Sequence, residues 1–303
     1  MPNPQILKTS VRSLVEFVLK EGDLHTGGFQ MRNRAVAGTW GHQHVQKGRP
    51  EGYEAEVSIK HLVETDQLHL EIFGRIDGIF AQEVPPIIDE IKTTTQPLPL
   101  ITENHNPLHW AQATCYAYIY ALQNNLEEIG IQLTYYQLDT RQTKTFQRTL
   151  SLETLTRFFD ELVTPYLQWA QTLIDWQTTR DQTIKTFEFP YTNYRPGQRE
   201  MAVEVYKTIY AKKKFFIQAP TGVGKTIATL FPAVKAIGTG LISKIFYLTA
   251  KTPGRTVAEK AIDDMRQAGL QLRSVTLTAK DKICFCTESG IDPAECEFTK
   301  NYY

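Results

Sequence analysis

Three ionisable residues lie within a short span: Asp77 in GRIDG, and Glu90 and Lys92 in DEIKTT. Side chains alternate along a strand, so Glu90 and Lys92, two apart, share one face, while Asp89 and Ile91 take the other. Asp77 closes the preceding strand, and close strand pairing brings it beside Glu90. Two carboxylates at that separation repel unless a cation stands between them, and hard oxygen donors suit Mg2+ or Mn2+. A lysine beside them orients or deprotonates water and steadies charge on a phosphate under attack. The chemistry is metal-assisted phosphodiester hydrolysis. Gln112 and Tyr116, i and i+4 on the following helical segment, present a polar face beside the site. His42, in GTWGHQHV, ends a helical or loop segment, where a lone histidine is more often structural.

A second chemistry lies in APTGVGKT, Ala219 to Thr226. Backbone N–H groups from Gly222 through Gly224 to Lys225 can wrap a phosphate, because glycines allow close approach. Lys225 adds charge at the β- and γ-phosphates and Thr226 offers a hydroxyl to Mg2+. A helix beginning there adds its N-terminal dipole. The ligand this pattern suits is a nucleoside triphosphate.

These residues need scaffolds. VRSLVEFVLK reads as a helix with Ser10 as its N-cap, followed by a Gly-rich polar stretch to about Pro50. The alternating run from Tyr53 to Phe80 reads as two strands around Thr65-Asp66-Gln67, and PPIIDEIKTT as a third. NPLHWAQATCYAYIYALQNN has a helical apolar face, IGIQLTYYQLDT and KTFQRTLS form a hairpin, and 151–175 is helical again. The polar run at 177–183 is the expected linker. Beyond it, helices at YRPGQREMAVEVYKTIY, TIATLFPAVKAIGTG and AEKAIDDMRQAGL alternate with strand-like KKKFFIQAP, SKIFYLTAKT and RSVTLTAKDKICF. That alternation predicts a parallel sheet.

The chain has 303 residues, 42% of them hydrophobic, enough for two domains, expected at 1–183 and 184–303. Lysine plus arginine and aspartate plus glutamate number 33 each, so any nucleic-acid affinity rests on local patches. No apolar run is long enough for a membrane span, and the start lacks the pattern of a signal peptide. Four cysteines in this length make no disulfide scaffold, and a reducing, cytoplasmic location is expected. Cys115 stands in an apolar helical pattern and is expected in the core. Cys284, Cys286 and Cys296 crowd the end.

The set GTWGH, GRIDG, DEIKTT and HWAQATCY resembles the PD-(D/E)XK nucleases of the RecB type over roughly residues 10–180. The resemblance implies a mixed sheet flanked by helices, with His42 (or His44, two residues on), Asp77 and Glu90 as metal ligands and Lys92 as the catalytic lysine. It implies that Gln112 and Tyr116 contact DNA and brace the site. The family's proline before the first aspartate is Ile76 here. From YRPGQ onward the chain resembles superfamily 2 helicases of the DinG/XPD type. That implies a partial RecA-like lobe, adenine recognition by Gln198 with Tyr191 or Tyr194 stacking, and strand-backbone contacts by Lys251 and Arg255 in YLTAKTPGRT. Translocation 5′ to 3′ on single-stranded or forked DNA is implied likewise.

The closing segment, 279–303, resembles the start of the iron–sulfur insertion of those helicases. A 4Fe-4S cubane needs four thiolates. Cys284, Cys286 and Cys296 supply three, one position of the pattern is Ile291, and the fourth ligand is expected beyond Tyr303; zinc is the alternative. No acidic strand motif follows residue 226 to complete ATP hydrolysis, so the chain is expected to be a fragment of a larger helicase–nuclease. Two competing readings are a DNA-binding guide that does not cut and a nucleotide-binding regulator.

Overall fold

The computed structural model describes residues 5–24, 31–250, 252–279, 282–284 and 295–303. It contains two compact units, Met1–Gln171 with Ala279–Tyr303, and Thr172–Thr278. The cysteine-bearing end, attached to the second domain by sequence reasoning, groups with the first unit.

The first unit is a mixed α/β layer. Its strands are β1 (Gln5–Ser10), β2 (Tyr53–Glu64), β3 (Leu68–Phe80), β4 (Ile87–Thr94), β5 (Glu128–Gln137) and β6 (Thr143–Ser151). Its helices are α1 (Val11–Leu19), α2 (Met31–Lys47), α3 (Pro107–Gln123) and the start of α4 (Leu152–Thr186). The sheet runs β1-β3-β4-β5-β6, and β2 pairs with β3. Pairs β1–β3 and β4–β5 are parallel, the others antiparallel.

The β2 ladder occupies one edge of β3 from His69 to Phe80. Both β1 and β4 must therefore use the other edge. β1 pairs with residues 68–73 and β4 with residues 78–80. Between them, Gly74 to Asp77 have no strand on that edge. The opening lies at the GRID stretch because β3 changes partner there.

α3 lies against β3, β4 and β5. Its start is set by Asn106, whose side chain accepts from the Leu108 amide at 3.0 Å, and by Pro107 in the first turn. The expected Ser10 cap is present, accepting from the Ser13 amide at 3.0 Å. Two features depart from expectation. β1 had no sequence signal of its own. The polar stretch before Pro50 contains α2, a helix without an apolar stripe that is held by Val45 against Ile91 and Tyr136.

The second unit contains the end of α4, then α5 (Gln198–Tyr210), α6 (Lys225–Gly238) and α7 (Thr252–Gln267). The expected linker at 177–183 is helical, part of α4; it has no glycine or proline to stop it. Ile227, Leu230 and Val234 of α6 pack with Ala258, Ala261 and Met265 of α7. Lys235 Nζ donates to the carbonyls of Ile184 (2.7 Å), Lys185 (3.2 Å) and Phe187 (2.9 Å). It thereby satisfies carbonyls that a helix end leaves orphaned.

The three strand-like segments expected here form no ladder among the described residues. The reason is a missing partner: β propensity is realised only against a paired neighbour. Their apolar side chains still alternate. Phe246 and Leu248 are 77% and 89% exposed, while Ile245 packs on the α6–α7 core.

Candidate active site and phosphate loop

The opening on β3 gathers the first chemistry. Asp77 Oδ2 accepts from the Ile91 amide at 2.8 Å, so the carboxylate takes up a β4 N–H beyond the last β3–β4 pair. Asp77 Oδ1 lies 3.1 Å from His42 Nδ1. One turn on along α2, Gln46 Nε2 donates to the Asp77 carbonyl at 2.8 Å and to Glu56 at 2.9 Å. Glu56, opposite Asp77 on β2, has φ of 60°, left-handed backbone in a non-glycine residue. The β2 ladder yields there, and a side chain from α2 takes its place. His42 and Gln46 thus hold Asp77 from one helical face.

Glu90 is 1% exposed. Its Oε1 accepts from Lys92 Nζ at 2.6 Å, and its Oε2 is buried without a hydrogen-bond partner. Burial holds its carboxyl well above the carboxylate range, at about 7; Lys92 opposes this and Asp77 adds to it. Lys92 Nζ also donates to Gln112 Oε1 at 3.1 Å, and Gln112 Nε2 approaches the Tyr116 hydroxyl at 3.5 Å. Burial, then the Glu90 charge, raises the Tyr116 phenol. Its ring fits against Gly74, where a Cβ would lie 2.6 Å from Tyr116 Cε1. That close approach explains the glycine. Desolvation lowers the His42 imidazole, but its hydrogen bond to Asp77 and that carboxylate's charge outweigh it, leaving its pKa raised.

The imidazole beside Asp77 is therefore that of His42. His44 instead stacks on Trp40, with ring centres 5.3 Å apart. Gln46 had not been singled out, although its spacing of four from His42 was visible.

Asp89 serves the other face of β4. Fully buried, it accepts from Arg49 (2.6 Å), Tyr53 (3.0 Å), Gln132 (3.1 Å) and Thr134 (2.5 Å). Burial and the Asp89 charge raise the Tyr53 phenol.

Among the described residues, no three or more His, Cys, Asp or Glu side chains are gathered so as to hold a metal ion. The expected trio of His42, Asp77 and Glu90 is thus no ready coordination shell, because each carboxylate is turned to its own neighbour. The donor set itself, two carboxylates and an imidazole with one buried Glu90 oxygen unbonded, suits a hard divalent cation. The cysteine expectation fares less well. Cys284 and Cys296 are in no disulfide, Cys296 is buried, and Cys286 and Ile291 lie outside the described residues. No described ligand set supports an iron–sulfur or zinc centre. Cys115 is in the core, as expected, its thiol pushed up to about 12 by burial.

In the second unit the phosphate loop enters α6 at Gly224, whose φ is +81° and which serves as the helix N-cap. Such a backbone suits glycine alone without strain. Lys225 Nζ donates to the carbonyls of Pro220 (2.8 Å) and Ala219 (3.1 Å), folding back over the loop. Thr226 lies in the first turn of α6. Gly222, also at positive φ, accepts from the Arg195 guanidinium. Gln198 is buried, accepts from the Arg195 amide at 3.1 Å and donates to the Gly224 carbonyl at 3.2 Å. It ties the YRPGQ turn to the loop. Tyr194 stacks on Phe189 at 3.8 Å, and Tyr191 donates to Asp264 at 2.7 Å.

Residues 198–283 match the DEAD/DEAH box helicase family. The matched stretch includes Gln198, the phosphate loop and Arg255. A 47-residue stretch is 43% identical to the "Probable ATP-dependent helicase MJ0942" of Methanocaldococcus jannaschii, covering 16% of this chain and 7% of that protein. The chain therefore spans only a small part of that relative's length. Among solved structures, the crystal structure of SSO0001 aligns over 52% of this chain and 75% of its own, at 20% identity and a TM-score of 0.34. Arg255 is engaged within the fold, 3.7 Å from Glu259 and 3.4 Å from Thr278; Lys251 lies outside the described residues. No described helix is long and apolar enough to cross a membrane.

Proposed function

We propose that this chain belongs to an ATP-dependent DNA helicase–nuclease. In this reading the first unit hydrolyses DNA phosphodiesters and the second binds ATP for strand-directed movement. The observation that carries the nuclease reading is the convergence of Asp77, Glu90 and Lys92 at the one stretch of β3 edge that neither β1 nor β4 covers. The phosphate loop within the helicase match supports the second half.

Asp77 and Glu90, with His42, would hold a divalent cation, Mg2+ or Mn2+, which when bound supplies Lewis acidity and a more acidic water. The chain's own residues do the rest. His42 and Gln46 hold Asp77 in place. Gln112 steers the Lys92 ammonium, which offsets negative charge gathering on an attacked phosphate. Tyr116 supports Gln112 through its hydroxyl. Burying Glu90 makes its charge available only to a cation that offsets the lost hydration.

The test is cleavage of end-labelled single-stranded DNA with Mg2+ or Mn2+ by the native chain and by Lys92→Ala. Metal-dependent cutting that Lys92→Ala abolishes supports the proposal. DNA binding without cutting by either protein replaces it with the guide reading.

A further inference from the structure

α2 has a second face, turned away from Asp77. Val36, Trp40 and His44 recur every four residues along it, and all three are exposed, Trp40 by 43% and Val36 by 73%. A helix face of this kind on a soluble surface ordinarily carries polar residues. His44 stacks on Trp40 with 25° between the rings, and Tyr136 of β5 meets both at 6.2 and 5.4 Å. Tyr136 is fully buried, so it fixes the pair from below. Over the indole sits the Arg141 guanidinium, 5.3 Å from the ring centre.

Arg141 is placed there by its backbone. It stands in the β5–β6 turn at φ of 58°, and its amide donates to the Gln137 carbonyl at 2.9 Å. The guanidinium forms no ion pair with any described carboxylate, including Asp139 on the same turn. An exposed indole, a stacked imidazole and an arginine without a counter-anion among the described residues match the chemistry of an unpaired base attached to a phosphodiester. The base offers a π face to the rings, and the phosphate offers charge to the guanidinium. Two residues beyond Trp40, His42 touches Asp77. A strand seated on this face therefore lies across α2 from the candidate active site, about one helix width away.

We infer that Trp40, His44 and Arg141 form a stacking platform that holds an unpaired nucleotide of single-stranded DNA across α2 from the Asp77–Glu90 site. This rests on the nucleic-acid reading above but not on cutting.

The experiment is equilibrium binding of fluorescein-labelled oligothymidylate to the full chain in EDTA, read by anisotropy, with duplex DNA of equal length alongside. Loss of one base-aromatic stack weakens binding roughly 5- to 100-fold, so Trp40→Ala should lose that much for the single strand and little for the duplex. Trp40→Phe should restore most of the loss. Arg141→Ala should reduce the salt slope by about 0.7, the share of one single-strand phosphate contact, and Arg141→Lys should keep it. Arg141 is exposed on a turn, so its variants test the platform even if Trp40→Ala fails to fold. Unchanged single-strand affinity in Arg141→Ala and in a folded Trp40→Ala overturns the inference, as does equal loss for single strand and duplex, or no single-strand binding by the native chain. Because chelator excludes metal-dependent cutting, platform-dependent binding without Lys92-dependent cleavage defeats the nuclease reading alone. Cleavage without platform-dependent binding defeats this one alone.

Discussion

Glu90→Gln should stabilise the protein at neutral pH while abolishing cleavage. Glu90 is buried, with its carboxyl held at about 7 against 4.5 in an open chain. The difference, 7 − 4.5, corresponds to about 3 kcal/mol at roughly 1.36 kcal/mol per pH unit. The sign follows from which state holds the proton more tightly. A carboxyl with a raised folded pKa contributes its full stability below pH 4.5 and loses it as pH rises through 7. The native protein should therefore weaken across that window. Glutamine cannot ionise, and its amide oxygen can still accept from Lys92. The variant should match the native protein near pH 4 and exceed it by up to about 3 kcal/mol at pH 8. Urea unfolding at a series of pH values, in EDTA, measures this. A Trp176→Phe background removes the one tryptophan of the second unit, so emission reports the first. Parallel pH curves for the two proteins, or a less stable glutamine variant at pH 8, would refute the reasoning.

Arg49→Met should destabilise the first unit by about 3–5 kcal/mol in the same unfolding assay, because it leaves the buried Asp89 charge without its cation. Gly74→Ala should cost about 1–3 kcal/mol, since its Cβ would lie 2.6 Å from the Tyr116 ring and force the tyrosine to shift. Cleavage should fall with it if Tyr116 steadies Gln112. Lys225→Ala should weaken binding of a fluorescent ATP analogue roughly 10- to 100-fold, the worth of a charge-assisted phosphate contact.

What was legible in the sequence was what has a period or a cap. Strand alternation gave β2, β3 and β4, the apolar period gave α3, and Ser10 marked the start of α1. The spacing of Glu90 and Lys92 placed both on one face, and the structure joins them at 2.6 Å. α2 was not legible because its contacts are made by Val45 and by polar side chains, which leave no apolar stripe. Gln46 went unnoticed for the same reason. Nor does the pattern of DEIKTT say that Glu90 would turn to Lys92 rather than toward Asp77. That choice is set by burial and by charge pairing across the fold. In the second unit, the helices were readable from their own faces, whereas KKKFFIQAP and SKIFYLTAKT have strand composition without a strand partner among the described residues.

Asp89 and Glu90 are neighbours that point to opposite sides of β4, one into a cage of four donors and the other into the buried site beside Lys92. The strand therefore carries a parity check. Slipping β4 by one place would move every side chain to the wrong side. It would set Glu90 against Arg49, carry Lys92 to that same face, and leave Asp89 in the site without its lysine, with a side chain one methylene too long in the cage and one too short in the site. Insertions and deletions of a single residue between Ile87 and Lys92 are thus excluded twice over, by the chemistry on one face and by the ion pair on the other. Changes of loop length on either side of the strand carry no such penalty.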